Sequence, residues 1–224
     1  MIVNFSVTNF GSIKEKQTLS FLADKSVHLE DHYIINSIGG LRLLKVALIY
    51  GANASGKTTL LKALEFLRDL VLDPKEKKSD ELNYNPFLFD PKTPRQNSEV
   101  SIEFIQGTSM YSYRIEFNTK SIVSESLDYL KPSKSNIFKR KTNLENKVTE
   151  ITLGSKIKKD KVSQKTLESN TLWNNTVLGG FLKTNVDFPE PERPIITSIS
   201  PLLTSIETSL TPAIYPSARM SSNP

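Results

Sequence analysis

The sequence predicts an α/β (α+β) domain, and three observations carry that expectation. A short apolar run, Leu43-Leu44-Lys45-Val46-Ala47-Leu48-Ile49-Tyr50, leads into a glycine-bounded loop, after which Leu60, Leu61, Leu64, Leu67 and Val71 recur at helical spacing. Those periodicities predict a buried strand, a tight loop and an amphipathic helix. Three runs between 99 and 130 alternate apolar with polar residues, the pattern of an antiparallel meander with one wet face. From Pro189 onward lysine disappears, and seven of the twelve prolines fall there among Ser and Thr. Such a composition packs poorly and predicts a disordered tail.

Residues 2–8 alternate, with Val3, Phe5 and Val7 on one side, and Leu19, Phe21 and Ala23 keep the same period. The two runs read as antiparallel strands joined around Gly11-Ser12. Asp24 to Asp31 is polar and reads as a loop. His28 and His32 stand four apart with Glu30 and Asp31 between them, but no third ligand is evident, so a surface loop is expected rather than a metal site. Tyr33 to Ser37 reads as a strand, and Gly39-Gly40 as the hairpin turn into Leu41–Tyr50.

The stretch Gly51-Ala52-Asn53-Ala54-Ser55-Gly56-Lys57-Thr58-Thr59 fits the phosphate-loop pattern G-x-x-x-x-G-K-[ST]. At average residue frequencies a chain this long would contain on the order of 0.01 chance matches. Gly51 and Gly56 let the backbone approach an anion with no Cβ in the way. Successive N–H groups then form a nest, and the helix beginning near Lys57 adds its partial positive charge. Lys57 is expected to reach the β- and γ-phosphates of ATP, and the Thr58 hydroxyl to hold Mg²⁺. Pro74 ends the helix near Leu72. Lys75–Glu81 is a charged linker, and Asn85-Pro86-Phe87-Leu88-Phe89-Asp90-Pro91 a proline-bounded apolar patch. Gln96 reads as an ordinary loop residue. The meander follows: Glu99–Ile105, Tyr111–Phe117 and a third run from Ile122 to Leu130, with Arg114 and Glu116 on its wet face.

The loop resembles the G-x-N-x-S-G-K-[ST]-[ST]-L version found in ABC-type ATPases, including the SMC, RecF and OLD groups. Asn53 and Ser55-Gly56-Lys57-Thr58-Thr59-Leu60 carry the resemblance. Ile2 to Ile13 is similar to the opening strand of those proteins, and Tyr50 to Thr58 looks like the loop of the bacterial AAA-type, ABC-like ATPases of the RloA and abortive-infection group. The resemblance covers roughly residues 1–130. It implies the N-terminal lobe of an ABC-type head with a mixed sheet. In this chain Gly51, Asn53, Ala54, Ser55, Gly56, Lys57, Thr58 and Thr59 would hold ATP and Mg²⁺. It also implies head-to-head pairing of two copies, coupling to an effector nuclease or toxin subunit, and DNA processing or antiphage defence. Gly11 stands where those proteins usually have a basic residue, so the phosphate contact from that position is not carried over.

Charge and composition narrow the rest. The chain has 224 residues, a net charge of +5 and no cysteine, which excludes disulfides and thiolate metal sites. No apolar run reaches the length of a membrane span and the N-terminus lacks a secretory pattern, so a cytoplasmic protein is expected. Residues 131–168 concentrate the basic side chains, among them Lys131, Lys139, Arg140, Lys141 and Lys147. A nucleic-acid-binding segment of DNA or RNA is the alternative reading there, against a solvated insertion. Three regions result: 1–130, a P-loop ATPase lobe; 131–188, a lysine-rich insertion; and 189–224, the tail. Leu178-Gly179-Gly180 lacks the serine of an ABC signature. No apolar run ends in Asp-Glu, and Ile196 to Leu203 ends in no acidic pair. A chain truncated by a frame shift near residue 188, lacking most of its second lobe, is expected.

Overall fold

The computed structural model describes residues 1–53, 55–155 and 161–184. The predicted tail 189–224, Ala54, and Lys156, Lys158 and Lys159 of the basic segment lie outside them. Alternating apolar residues build a seven-stranded sheet: β1 (Ile2–Thr8), β2 (Gln17–Ser20), β5 (Ser98–Gln106), β6 (Ser109–Phe117), β7 (Ile122–Lys131), β8 (Ser135–Asn143) and β9 (Val148–Leu153). The order is β2-β1-β5-β6-β7-β8-β9. Every pairing in it is antiparallel. Consecutive strands joined by short turns pair locally, and β1 bridges the hairpin β1–β2 to the meander, with Phe5 opposite Ile102 and Val7 opposite Val100. The sheet runs on past residue 130 without a break, since β8 and β9 extend the meander.

One face is buried, as period-2 alternation requires, and the other is wet except at one end, where Val3, Ile105 and Met110 cluster with Leu43. Phe5, Val7, Val100, Ile102, Phe104, Tyr113, Ile115 and Phe117 point into the core. The wet face carries Glu99, Arg114 and Glu116; Arg114 pairs with Glu99, and Glu116 accepts from Asn97 at 2.9 Å and Ser124 at 3.1 Å.

Across the buried face lies α2 (Lys57–Leu72). Its 3.6-residue period turns Ala63, Leu64, Phe66, Leu67, Leu70 and Val71 inward, so the helical spacing read from the sequence is the one that packs. Phe66 sits among Phe10, Tyr84 and Phe117 with ring centroids 5.5, 5.4 and 5.0 Å away. Phe10, from the β1–β2 turn, thereby ties that turn to the helix.

Two further pieces complete the described chain. A short helix α1 (Glu30–Tyr33) precedes the hairpin β3 (Ile34–Asn36) and β4 (Arg42–Leu44), a separate two-stranded sheet turned at Gly39 and Gly40. His32 lies in α1 and His28 just before it; both are exposed, and no group of three metal-ligating side chains occurs among the described residues. Helices α3 (Lys161–Asn170) and α4 (Val177–Thr184) close the other end, with Leu178-Gly179-Gly180 inside α4. No helix among the described residues is long and apolar enough to cross a membrane.

The strand expected over 43–50 is corrected. Strand pairing stops at Leu44, and 46–50 has no regular structure. Leu43 is buried, but Val46, Leu48 and Tyr50 are 60%, 85% and 92% exposed. A strand needs neighbours to take its N–H and C=O groups, and none of the described strands pairs with residues 46–50. The parallel member expected of a mixed sheet is accordingly not among the described pairings.

Candidate functional site

The loop at 51–56 ends on the N-terminus of α2. Gly56 is the cap residue, with φ 91°, a left-handed conformation that favours glycine. No side chain among the described residues caps the helix, which leaves its first-turn N–H groups without a side-chain acceptor and the positive end of the helix dipole bare at this point. The Lys57 ammonium folds back over the loop and donates to the carbonyls of Gly51 at 2.9 Å and Ala52 at 2.7 Å. Its contact with Ser55 Oγ is 3.5 Å. The Ser55 amide donates to Ala52 O at 3.3 Å, which tightens the bend. Asn53, Ser55 and Thr58 are exposed, and Thr59 Oγ1 lies 2.8 Å from Ser12 Oγ. Of the residues the motif singles out, all but Ala54 are thus brought to one loop and one helix turn.

The turn between β1 and β2 forms the facing wall. Asn9 fixes that turn in the left-handed region, φ 53°. Its side chain donates to Thr93 O and Gln96 O at 3.0 Å each and accepts from the Phe87 amide at 2.9 Å. The neighbouring Gly11, φ 55°, lies so close to α2 that a Cβ there would stand 2.8 Å from Thr59 Cγ2. Ser12 and Ile13 lie against Gly56. Together the turn, the loop and the run before it enclose a cleft of about 480 Å³ lined by Ser12, Lys14, Glu15, Tyr50, Ser55 and Lys57 among others, within the usual range for small-ligand sites.

Position 14 escaped the reading of the sequence, which looked for a basic residue at position 11. Its signal was weak: one lysine three residues further on, in a turn whose course only the fold reveals. Lys14 donates to Asp90 Oδ2 at 2.8 Å. The lysine, together with the Lys92 and Thr93 amides, holds the Asp90 carboxyl well below the usual carboxylate range.

A larger cleft, about 550 Å³, runs along the flank of α2 beside residues 82–85. Glu65, Asp69 and Asp73 line it against Lys62 and Lys75. Size favours it, but the carboxylates repel a polyphosphate, and the bare helix N-terminus is in the smaller cleft. Gln96 is exposed on the 93–97 loop and lines neither cleft.

The described basic residues of 131–168 stand in different settings. Lys139 and Lys141 are exposed on β8, where Lys141 stands opposite Glu150. Lys147 lies 4.8 Å over the Trp173 ring. Arg140 is fully buried against Glu125. The insertion spends its best-placed cations on internal contacts.

The family model described as "AAA domain, putative AbiEii toxin, Type IV TA system" matches residues 46–177, more than half of the chain and a span that includes the loop, α2 and the whole meander. No curated protein matches the chain. With its glycine loop seated on a bare helix N-terminus, the chain belongs to this family, a nucleotide-binding, ATPase-type AAA domain of the abortive-infection kind.

Proposed function

We propose that the chain binds ATP with Mg²⁺ in the cleft between the β1–β2 turn and the 51–59 loop. The observation that carries this reading is the pairing of a bare helix N-terminus with the Lys57 ammonium, held over the mouth of the loop by the Gly51 and Ala52 carbonyls. Amide donors, a helix dipole and a single ammonium form a donor set for phosphate oxygens. The residues present fit the group. The amides at Gly56 and Lys57 would cradle the phosphates, Lys57 would leave its carbonyl partners for the outer phosphates, and Thr58 would offer its hydroxyl to Mg²⁺. When bound, the metal neutralises charge on the phosphate oxygens.

Asn53 and Thr59 belong to this reading as loop residues, Thr59 through its bond to Ser12. Ala54 enters it by sequence position alone. ATP hydrolysis would need a second acidic ligand and a water-orienting group; these are expected from outside the loop. Head-to-head pairing of two copies and an effector nuclease or toxin subunit, serving antiphage defence or DNA processing, are the partners this reading directs attention to.

Titration calorimetry of Mg·ATP against the wild type and Lys57→Ala tests it. Binding to the wild type and its loss in the variant is the expected result, a drop of at least about tenfold for one charge-assisted contact to phosphate. Equal affinity in both would overturn the site.

A further inference from the structure

Two lysines line the cleft, not one. Lys57 enters from the loop, and Lys14 from the opposite wall. The turn that carries Lys14 is held firmly against the loop. Ser12 is bonded to Thr59 at 2.8 Å, Ile13 lies against Gly56, and the Asn9 amide donates to Lys14 O at 3.1 Å. The backbone position of Lys14 is therefore set relative to the N-terminus of α2. Its side chain is 45% exposed, so solvent leaves room for it to turn about that fixed base. The lone carboxylate among the cleft's lining residues is Glu15, so the cleft presents more positive than negative charge.

Asp90, which holds Lys14, does not line the cleft. Its Oδ1 accepts from the Lys92 and Thr93 amides at 2.8 and 3.1 Å, while Oδ2 takes Lys14. Asp90 is thus anchored by backbone on one oxygen and offers the other to a half-exposed cation at the cleft's edge. Such an exposed ion pair is weak and yields readily to a better anion. A polyphosphate with several charges is a better anion.

We propose that Lys14 is a second phosphate-binding cation, parked on Asp90 and transferred to the nucleotide's polyphosphate when it enters the cleft. This rests on the nucleotide reading of the loop. It places the second cation on the β1–β2 turn, on the wall opposite the loop. Asp90 competes with the nucleotide for Lys14, so the two partners of one ion pair act on binding in opposite directions.

Mg·ATP titrations of Lys14→Gln, Lys14→Arg, Asp90→Asn and Lys57→Ala, each checked by a thermal melt, test it. Asp90→Asn keeps the acceptor oxygen that the Lys92 and Thr93 amides use, so the 90–93 turn is retained. Lys14→Gln is expected to weaken binding about tenfold and to flatten its dependence on salt. Lys14→Arg stays within about twofold of the wild type, since the charge is kept. Asp90→Asn is expected to strengthen binding about two- to fivefold, the worth of an exposed pair released. A merely structural clip gives a different outcome: Lys14→Gln and Asp90→Asn weaken binding alike. That result, or unchanged affinity in Lys14→Gln while Lys57→Ala abolishes binding, overturns the role of Lys14 alone. Unchanged affinity in Lys57→Ala overturns the loop reading itself, and this inference with it.

Discussion

Gly11 shows how much one position constrains the cleft. Its amide donates to Asn85 O at 2.7 Å, its φ is 55°, and its missing Cβ leaves room for Thr59 Cγ2. A side chain here meets a steric and a conformational obstacle at once. Gly11→Ala is expected to cost about 1–2 kcal/mol for the left-handed backbone alone, read as a lower urea midpoint. Combining it with Thr59→Ser removes the methyl it strikes while keeping the hydroxyl bonded to Ser12. The pair should therefore recover the steric part of the loss and leave the backbone part. Full additivity of the two losses would refute the contact. Asp90 gives a pH signature at the same scale. Its folded pKa is depressed, first by Lys14, so its contribution to stability is complete above the ordinary carboxylate range and fades as the acid side is approached. The melting-temperature difference between the wild type and Asp90→Asn should shrink as pH falls from about 5 toward 2. A difference that stays constant over that window would contradict it.

Among the described elements, α4 is held by a buried charged pair. Glu125 of β7 accepts from the Val177 amide at 2.8 and 3.1 Å, at the first residue of α4, and from Tyr113 Oη at 2.6 Å. Arg140 of β8 lies 3.5 Å from Glu125 and donates to the carbonyls of Asn175 and Trp173 at 2.6 and 2.9 Å. Burial raises the Glu125 carboxyl and lowers the Arg140 guanidinium, so each charge is tolerated because of the other. The clasp has consequences for α2. Asn174 and Trp173 donate to the 77–80 loop, Thr176 Oγ1 donates to Leu70 O at 3.3 Å, and Gly179 packs where a Cβ would stand 3.1 Å from Val71 O. The far end of the helix that carries Lys57 is thereby fixed to the insertion. Glu125→Leu or Arg140→Leu alone is expected to destabilise by about 3–5 kcal/mol, because each strands a buried charge. The double variant should cost clearly less than the sum of the singles. Denaturant titrations of the four proteins check this, and strict additivity would count against a coupled pair.

For the molecule as a whole, the exposed run beside the loop is the unusual surface. Val46, Leu48 and Tyr50 are exposed without pairing partners among the described elements, next to Leu22, Tyr33 and Ile35, which are exposed as well. An unpaired extended segment with apolar side chains favours association. Leu48→Lys should leave the melting temperature close to that of the wild type, because nothing packs on Leu48, and should lower light scattering at high protein concentration. A large drop in melting temperature would show that the run is packed after all.

Much of this architecture could be read from local pattern. The meander strands alternate cleanly because each pairs with its sequence neighbour, so Ile102 and Tyr113, or Ile115 and Glu125, meet across short turns. The spacing of Leu64, Leu67 and Val71 determined α2, and Pro74 its end, since helix bonding is local. The glycine loop was legible for the same reason: its residues lie within one turn of chain. Distance along the chain hid the rest. The run 43–50 has a strand's composition, but strand structure depends on neighbours, and only Arg42–Leu44 has one. Ser12 bonds Thr59, and Lys14 lines the same cleft as Lys57, across more than forty residues of chain, because Phe10 and Asn9 anchor their turn, and Arg140 reads as one more surface charge until β8 turns it inward. Periodicity specifies which face of an element is apolar; which elements share that face, and hence which charges meet, is decided when the whole sheet closes over its helix.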